Sequence, residues 1–242
     1  MLSASQRAFL NIIIPIAVRQ AKKHDMKIYP SVCIAQACHE SGWGTSKKMA
    51  KANAVYGIKV GKSAYKFGTA WEGDAYNSKT TEYYDAAKKT PTVITDFFRA
   101  YKDIESATED YYDMLCHCQR YRPALNQPSP EKCIRAIVAG GYATGPEYAE
   151  HILDIIVSHD LTIYDNGTIP AGNPYKCTDK IMKSGSRGES VKWLQYRLNE
   201  LGYNLSIDGV YGSRTAAAVK DFQTKVFCDG ICGPLTLEKL NQ

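Results

Sequence analysis

Residues 31–44, "SVCIAQACHESGWG", decide how the larger part of this chain is read. Pro30 stands just before them, and proline suits the first position of a helix because its fixed φ and missing N–H cost nothing there. Pro30, Cys33, Ile34, Ala37, Cys38 and Ser41 then fall on one helical stripe, and Gly42-Trp43-Gly44 ends it. One carboxylate, Glu40, falls at the edge of that stripe in the last helical turn. There the negative end of the helix dipole disfavours a carboxylate charge. Shielding by Trp43 or other apolar groups would act in the same direction. Both effects predict a carboxyl kept protonated, as a general acid requires. The competing reading is a solvated surface glutamate near a helix end, and local physics alone favours it for a lone Glu.

Outward from this stretch, helical spacing predicts helices over 7–25 and 30–41 and again over 104–118, 130–139 and 146–158. Between them, residues 55–100 change character. "TAWEGDAY", "KTTEYYD" and "TVITDFFRAY" are rich in Tyr, Thr and Val with Gly and Asn-Ser turn signals, which predicts a small antiparallel β region. "YDNGTIPAGNPYK" (164–176) has no periodicity and reads as a linker. Beyond it, "ESVKWLQYRLNELGY" carries a stripe of Val191, Leu194, Leu198 and Leu201 stopped by Gly202. "SRTAAAVKDFQTKV" adds Ala218, Val219, Phe222 and Val226, and "GPLTLEKLN" starts a short third helix at Pro234. Asp208-Gly209 and Asp229-Gly230 read as structural turns. The expected class is α+β, mostly α. A catalytic domain with a small β-hairpin lobe spans 1–163, a linker 164–177 and a small three-helix domain 178–242.

The totals narrow the function classes. With 44% hydrophobic and 23% charged residues, the 242-residue chain can bury sizeable cores. Its net charge of +5 comes from scattered basic residues, which argues against nucleic acid and suits an anionic polymer such as a cell wall equally well. Eight cysteines, at 33, 38, 116, 118, 133, 177, 228 and 232, include no C-x-x-C pair. Most fall on apolar helix positions, so buried free thiols are expected rather than a metal site. "FLNIIIPIAV" (9–18) is too short to span a bilayer and lacks a following small-residue cleavage site, so it reads as a buried helix. No export signal, membrane insertion, cofactor or metal is expected, and a monomer is the working expectation.

Four ordered motifs carry a family resemblance. "SVCIAQACHESGWGTS", "ANAVYGIK" (52–59), "TTEYYD" (80–85) and "GYATGPEYAEHILDII" (141–156) resemble the glucosaminidases of glycoside hydrolase family 73, which include the flagellar muramidase-like domain. The likeness covers roughly residues 5–160. "SGSRGESVKWLQYRLNELGY", "DGVYGSRTAAAVKDFQ" and "DGICGPLTLEKL" resemble the common three-helix peptidoglycan-binding module. Together they resemble the layout of a phage endolysin. This implies a lysozyme-like catalytic domain and an endo-β-N-acetylglucosaminidase that cuts the GlcNAc-β-1,4-MurNAc bond of bacterial peptidoglycan. It also implies residence in the host cytoplasm until release by a holin-type route. The chain departs from the pattern at two places: Cys38-His39 replaces small or aliphatic residues, and Gly145 stands where Asp is frequent.

The resemblance assigns Glu40 as catalytic acid and Glu82, on the hairpin facing it, as the second carboxylate that glycoside hydrolysis ordinarily needs. Glu72, Asp74 and Asp85 are rivals for the latter, and the substrate's own N-acetyl group could replace it. Tyr142 is the third catalytic candidate, with core packing as its alternative. Trp43, Asn53, Tyr56, Trp71 and Tyr148 are the candidate substrate-binding residues, although Asn53 also reads as loop-shaping and the aromatics as core. A muramidase or lytic transglycosylase shares the helix-borne Glu. "NAVYGIK" in place of a "GLMQ"-like segment argues against it. A non-catalytic wall-binding protein is the other alternative. A zinc amidase is disfavoured because the five histidines form no recognisable ligand set.

Overall fold

The computed structural model describes residues 3–61, 65–82, 91–169, 172–203, 205–223 and 229–241, without the side chains of Ala4, Lys48, Thr81 and Glu82. The backbone divides into two compact units. One has its described residues within 2–157 and 161–169, the other chiefly within 158–160 and 170–242. No helix among the described residues is long and apolar enough to cross a membrane.

The N-terminal unit is helical with one hairpin. Helix α1 (Ala4–Lys23) starts from a Ser3–Gln6 capping box and runs through Pro15. Helix α2 (Pro30–Ser41) places Pro30 at its first turn and is buried from Pro30 through Cys38. The expected one-sided stripe is therefore too narrow. Small residues let α1, α5 (Pro130–Ala139) and a 3-10 turn at Leu161–Tyr164 close around it. Helices α4 (Ile104–His117) and α6 (Tyr148–Ser158) complete the bundle. A short helix, α3 (Lys47–Ala52), was not foreseen; "KKMAKA" carries no apolar periodicity.

The β region is one antiparallel hairpin. Strand β1 (Ala75–Glu82) pairs with β2 (Thr92–Arg99) in the register Ala75↔Arg99 to Glu82↔Thr92. Residues 58–60 run beside β2, with Arg99 N–H donating to Ile58 O and Val60 N–H to Phe97 O. Arg99 and Asp110, 1% and 0% exposed, staple the hairpin to α4 through Nη1 bonds of 2.9 and 3.0 Å. The guanidinium lies over the Trp71 ring at 4.1 Å and the Phe67 ring at 4.8 Å. Trp71 is itself 1% exposed and donates its indole N–H to Asp74 O.

Helix α2 receives its N-terminal cap from far along the chain. Tyr29 at the N-cap offers no side-chain bond. Asp165 instead accepts from the Ser31 N–H at 2.8 Å and the Ser31 hydroxyl at 2.7 Å. Part of the stretch read as linker is thereby fastened to the catalytic helix. Burial pushes the Asp165 carboxyl up to about 6, against the donors from Ser31, which lower it. A carboxyl raised on folding adds stability below its unfolded value and loses that stability as pH rises through about 6. Asp165→Asn keeps both hydrogen bonds, because its amide can accept from the N–H and donate to the hydroxyl. We expect the wild-type unit to lose on the order of 1–2 kcal/mol more than this variant between pH 4.5 and pH 7.5, after allowing for partial exposure. Urea melts at the two pH values measure the difference, and parallel pH dependences would refute it.

The C-terminal unit packs α7 (Glu189–Glu200), α8 (Ser213–Phe222) and α9 (Pro234–Leu240) around Val191, Leu194, Leu198, Tyr211, Val219 and Leu240. Leu201, expected in the stripe, is 51% exposed because the helix ends at Glu200 and Leu201 already caps it. Val226 lies outside the described residues. The two Asp-Gly turns are built alike. Gln195 Nε2 donates to Asp208 Oδ1, Val210 O and Thr215 Oγ1 at 2.8–3.3 Å, while its Oε1 accepts from Gly209 N–H. Gln223 does the same to Asp229, Ile231 and Thr236 at 2.8–3.1 Å, and accepts from Gly230 N–H. In each half a helix follows the next glycine, Gly212 or Gly233.

Candidate active site

Glu40 reaches a cleft because α2 stops just after it. Gly42, Trp43 and Gly44 all have positive φ, from 56° to 76°, so the chain leaves the helix axis at once. Gly44 also needs to lack a side chain, since a Cβ there would lie 2.5 Å from the Phe9 ring. The half-buried Glu40 accepts from the Tyr148 hydroxyl at its Oε1, 2.7 Å away. Its Oε2 faces Gly57, where φ is 59° and a Cβ would come within 3.4 Å of that oxygen.

The cleft has a volume of about 640 Å³. One wall is the end of α2 with residues 56–61, another is the hairpin at Thr80, Phe98 and Arg99, and a third is the 141–145 loop with Tyr148, Arg120 and Tyr121. Among the described residues that line it, Glu40 is the single carboxylate. Glu72 and Asp74 lie elsewhere. Glu72 pairs with Lys102 at 3.5 Å. The backbone of Glu82 ends β1, two residues beyond cleft-lining Thr80, and its side chain lies outside the described residues, as does all of Asp85.

Tyr142 lines the cleft beside Tyr148, ring centroids 6.0 Å apart, and donates to Tyr56 O at 2.8 Å. Burial first, then Tyr148 and Glu40, hold its phenol well above the usual tyrosine range, so it stays a neutral hydroxyl. Tyr148 is raised for the same first reason, with Glu40 adding to it. Tyr56 stacks on Tyr111 at 4.2 Å and lines the cleft while its hydroxyl points inward to Cys33 and Thr108. Asn53 is a left-handed C-cap for α3 and donates to the carbonyls of Tyr101 and Lys102. Trp43 packs against the core, and neither it nor Asn53 lines the cleft. Trp71 is too deeply buried beneath Arg99 to offer a face to a sugar, which corrects the expectation of a stacking platform. His39, on the rim, stacks on His151 at 5.8 Å; burial, then His151, lower its imidazole below the usual value.

Sequence reasoning missed Gln36 and Tyr111. Gln36 is one helical turn before Glu40 on the same face of α2, a spacing that could have drawn attention to it. Tyr111 gave no signal, since it meets Gln36 across 75 residues. Among the described residues, no group of three His, Cys, Asp or Glu could hold a metal ion. The seven described cysteines are free thiols.

A glucosaminidase family model, described as mannosyl-glycoprotein endo-beta-N-acetylglucosaminidase, matches residues 15–161. The chain belongs to the glucosaminidase family. A peptidoglycan binding domain model matches residues 187–240. Over 155 residues this glucosaminidase-family chain is 34% identical to the peptidoglycan hydrolase FlgJ of Vibrio parahaemolyticus, covering 62% of the chain and 46% of the relative. Over 143 residues it is 31% identical to the exo-glucosaminidase LytG of Bacillus subtilis, covering 57% and 46%. The chain thus spans about half the length of the curated relatives it matches. Among solved structures, the catalytic domain of the autolysin Auto from Listeria monocytogenes superposes with a TM-score of 0.53 at 30% identity, over 68% of this chain and 89% of that one. The fold is that of these lysozyme-like hydrolases, followed by a small helical domain.

Proposed function

We propose that the chain is an endo-β-N-acetylglucosaminidase that hydrolyses the GlcNAc-β-1,4-MurNAc bond of bacterial peptidoglycan. Its biological role is that of a wall-lytic endolysin, with residues 178–242 holding it on the wall. The observation that carries this reading is the placement of Glu40. It is the one carboxylate among the described residues of an open, sugar-sized cleft, with Oε1 engaged by Tyr148 and Oε2 beside Gly57. The printed names of the relatives, peptidoglycan hydrolase and exo-glucosaminidase, support the substrate class.

In this mechanism the protonated Glu40 gives its proton to the glycosidic oxygen as the bond from that oxygen to GlcNAc C1 breaks. The bonding electron pair leaves with O4 of MurNAc, and positive charge develops on C1 and the ring oxygen. Glu82, or the N-acetyl group of the same sugar, supports that charge. Water adds its oxygen at C1, and its proton passes to the carboxylate that activates it. Tyr142, a neutral hydroxyl beside Glu40, orients the sugar.

Mass spectrometry of borohydride-reduced products from purified peptidoglycan tests the bond. A reduced GlcNAc end is expected. A reduced MurNAc end would mean a muramidase, and an anhydro-MurNAc end a transglycosylase. The name of LytG favours one second reading, action from chain ends. Early release of single sugars without shortening of the long strands would replace the endo assignment by that one.

A further inference from the structure

Three side chains form a directed line of hydrogen bonds that ends on Glu40. Tyr111 Oη donates to Gln36 Oε1 at 2.6 Å. Gln36 Nε2 donates to Tyr148 Oη at 3.0 Å, and Tyr148 Oη donates to Glu40 Oε1 at 2.7 Å. The direction follows from chemistry. An amide oxygen only accepts, so Tyr111 must donate to it; an amide nitrogen only donates, so the Tyr148 oxygen accepts from Gln36 and keeps its own hydrogen for Glu40. Turning the amide over would set its oxygen against Tyr148 and draw that hydrogen away from Glu40, while leaving the Tyr111 hydrogen without the amide oxygen. In the arrangement seen, both phenol hydrogens are used, that of Tyr111 on Gln36 and that of Tyr148 on Glu40.

The line is shielded. Tyr111 and Gln36 are 0% exposed and Tyr148 is 7% exposed, so the inner bonds are kept from water and only the Glu40 end reaches the cleft. Tyr111 is held in place by stacking on Tyr56. Bonds of this kind strengthen one another in a medium of low polarity.

We propose that Tyr111 and Gln36 are positioning residues for the catalytic acid. They fix Tyr148 as a donor to Oε1 of Glu40. They also supply hydrogen-bond support to the carboxylate formed once the proton has gone. This rests on the reading of Glu40 as the acid.

The test compares Tyr111→Phe with Tyr112→Phe. The neighbouring Tyr112 is equally buried and its ring meets the Tyr111 ring edge-on at 5.5 Å, but its hydroxyl faces Ala17 O, 3.4 Å away, and Cys33, and makes no bond in the line. Both variants lose one buried hydroxyl, so both lose some stability. Only Tyr111→Phe is expected to lower kcat, by about tenfold with little change in KM, the kinetic weight of one hydrogen bond. Its alkaline limb of activity against pH should move to higher pH, because the carboxylate has lost support. Gln36→Met, which removes the bridge at nearly constant size, should move the limb the same way. If Tyr111→Phe and Gln36→Met keep the wild-type limb and lose no more kcat than Tyr112→Phe, the line is structural and the proposal fails. Glu40→Gln separates the two levels. If that variant is inactive and the limb does not move, only the positioning role falls; if it remains active, the acid assignment falls with it.

Discussion

Glu40→Gln is expected to reduce peptidoglycan hydrolysis by about 10³-fold or more, toward the upper end of what one general acid contributes. Glutamine has the same shape and keeps an oxygen for the Tyr148 hydroxyl, so the helix and the cleft should persist. Binding to sedimented cell walls should be unchanged. The effect must also depend on the leaving group. A nitrophenyl glycoside of GlcNAc oligomers leaves without needing a proton, so the variant should lose far less on it than on the natural polymer. Equal losses on both substrates would mean that Glu40 shapes the cleft rather than protonating the departing oxygen. Substantial hydrolysis of the polymer by the variant would remove Glu40 from the acid role.

The largest effect on stability is expected at Asp110. Asp110→Ala leaves the Arg99 guanidinium, 1% exposed, without its countercharge, and also takes the acceptor from the Tyr101 hydroxyl, 2.7 Å away. Breaking one side of a buried ion pair costs about 3–5 kcal/mol. For a unit of this size that lowers Tm by roughly 10 °C. Activity should fall further than the folded fraction, because Arg99 ends β2 and lines the cleft, so the hairpin loses its anchor to α4. Replacing both partners, Arg99→Met with Asp110→Leu, should be much milder than Asp110→Ala alone, since no lone charge remains. Calorimetry on the three variants decides it. A loss below about 1 kcal/mol for Asp110→Ala would show that water reaches Arg99 after all.

How much could be read in advance depended on how local the cause was. Pro30 and the Gly-Trp-Gly break bounded α2, and helical spacing placed α4, α5 and α6 within a residue or two, because those signals sit in neighbouring residues. The hairpin was legible as β character but not as register. Glu40 and Tyr148 were legible as candidates through the motifs that hold them, and both line the cleft. What was not legible came from groups brought together across the chain. Asp165 caps Ser31 from 134 residues away, and Arg99 covers Trp71. Gln36, one turn before Glu40, was passed over because a buried polar residue on a small-residue helix reads as filler until its partners are known. Trp71 illustrates the reverse error. An aromatic near a candidate cleft suggested sugar stacking, yet a buried cation needed its face first.

The paired turns of the C-terminal unit make the chain its own calibration standard. Gln195 and Gln223 tie four corresponding groups, but Gln195 is 1% exposed and Gln223 is only half-buried. Gln195→Ala and Gln223→Ala thus delete matched polar locks in one molecule, at one pH and in one buffer. The excess loss of stability at Gln195 would measure what exclusion of solvent adds to identical bonds, and equal losses would mean that wetness hardly matters here. Experiments on separate proteins can only approximate that comparison, whereas the two turns of this unit supply both arms of it.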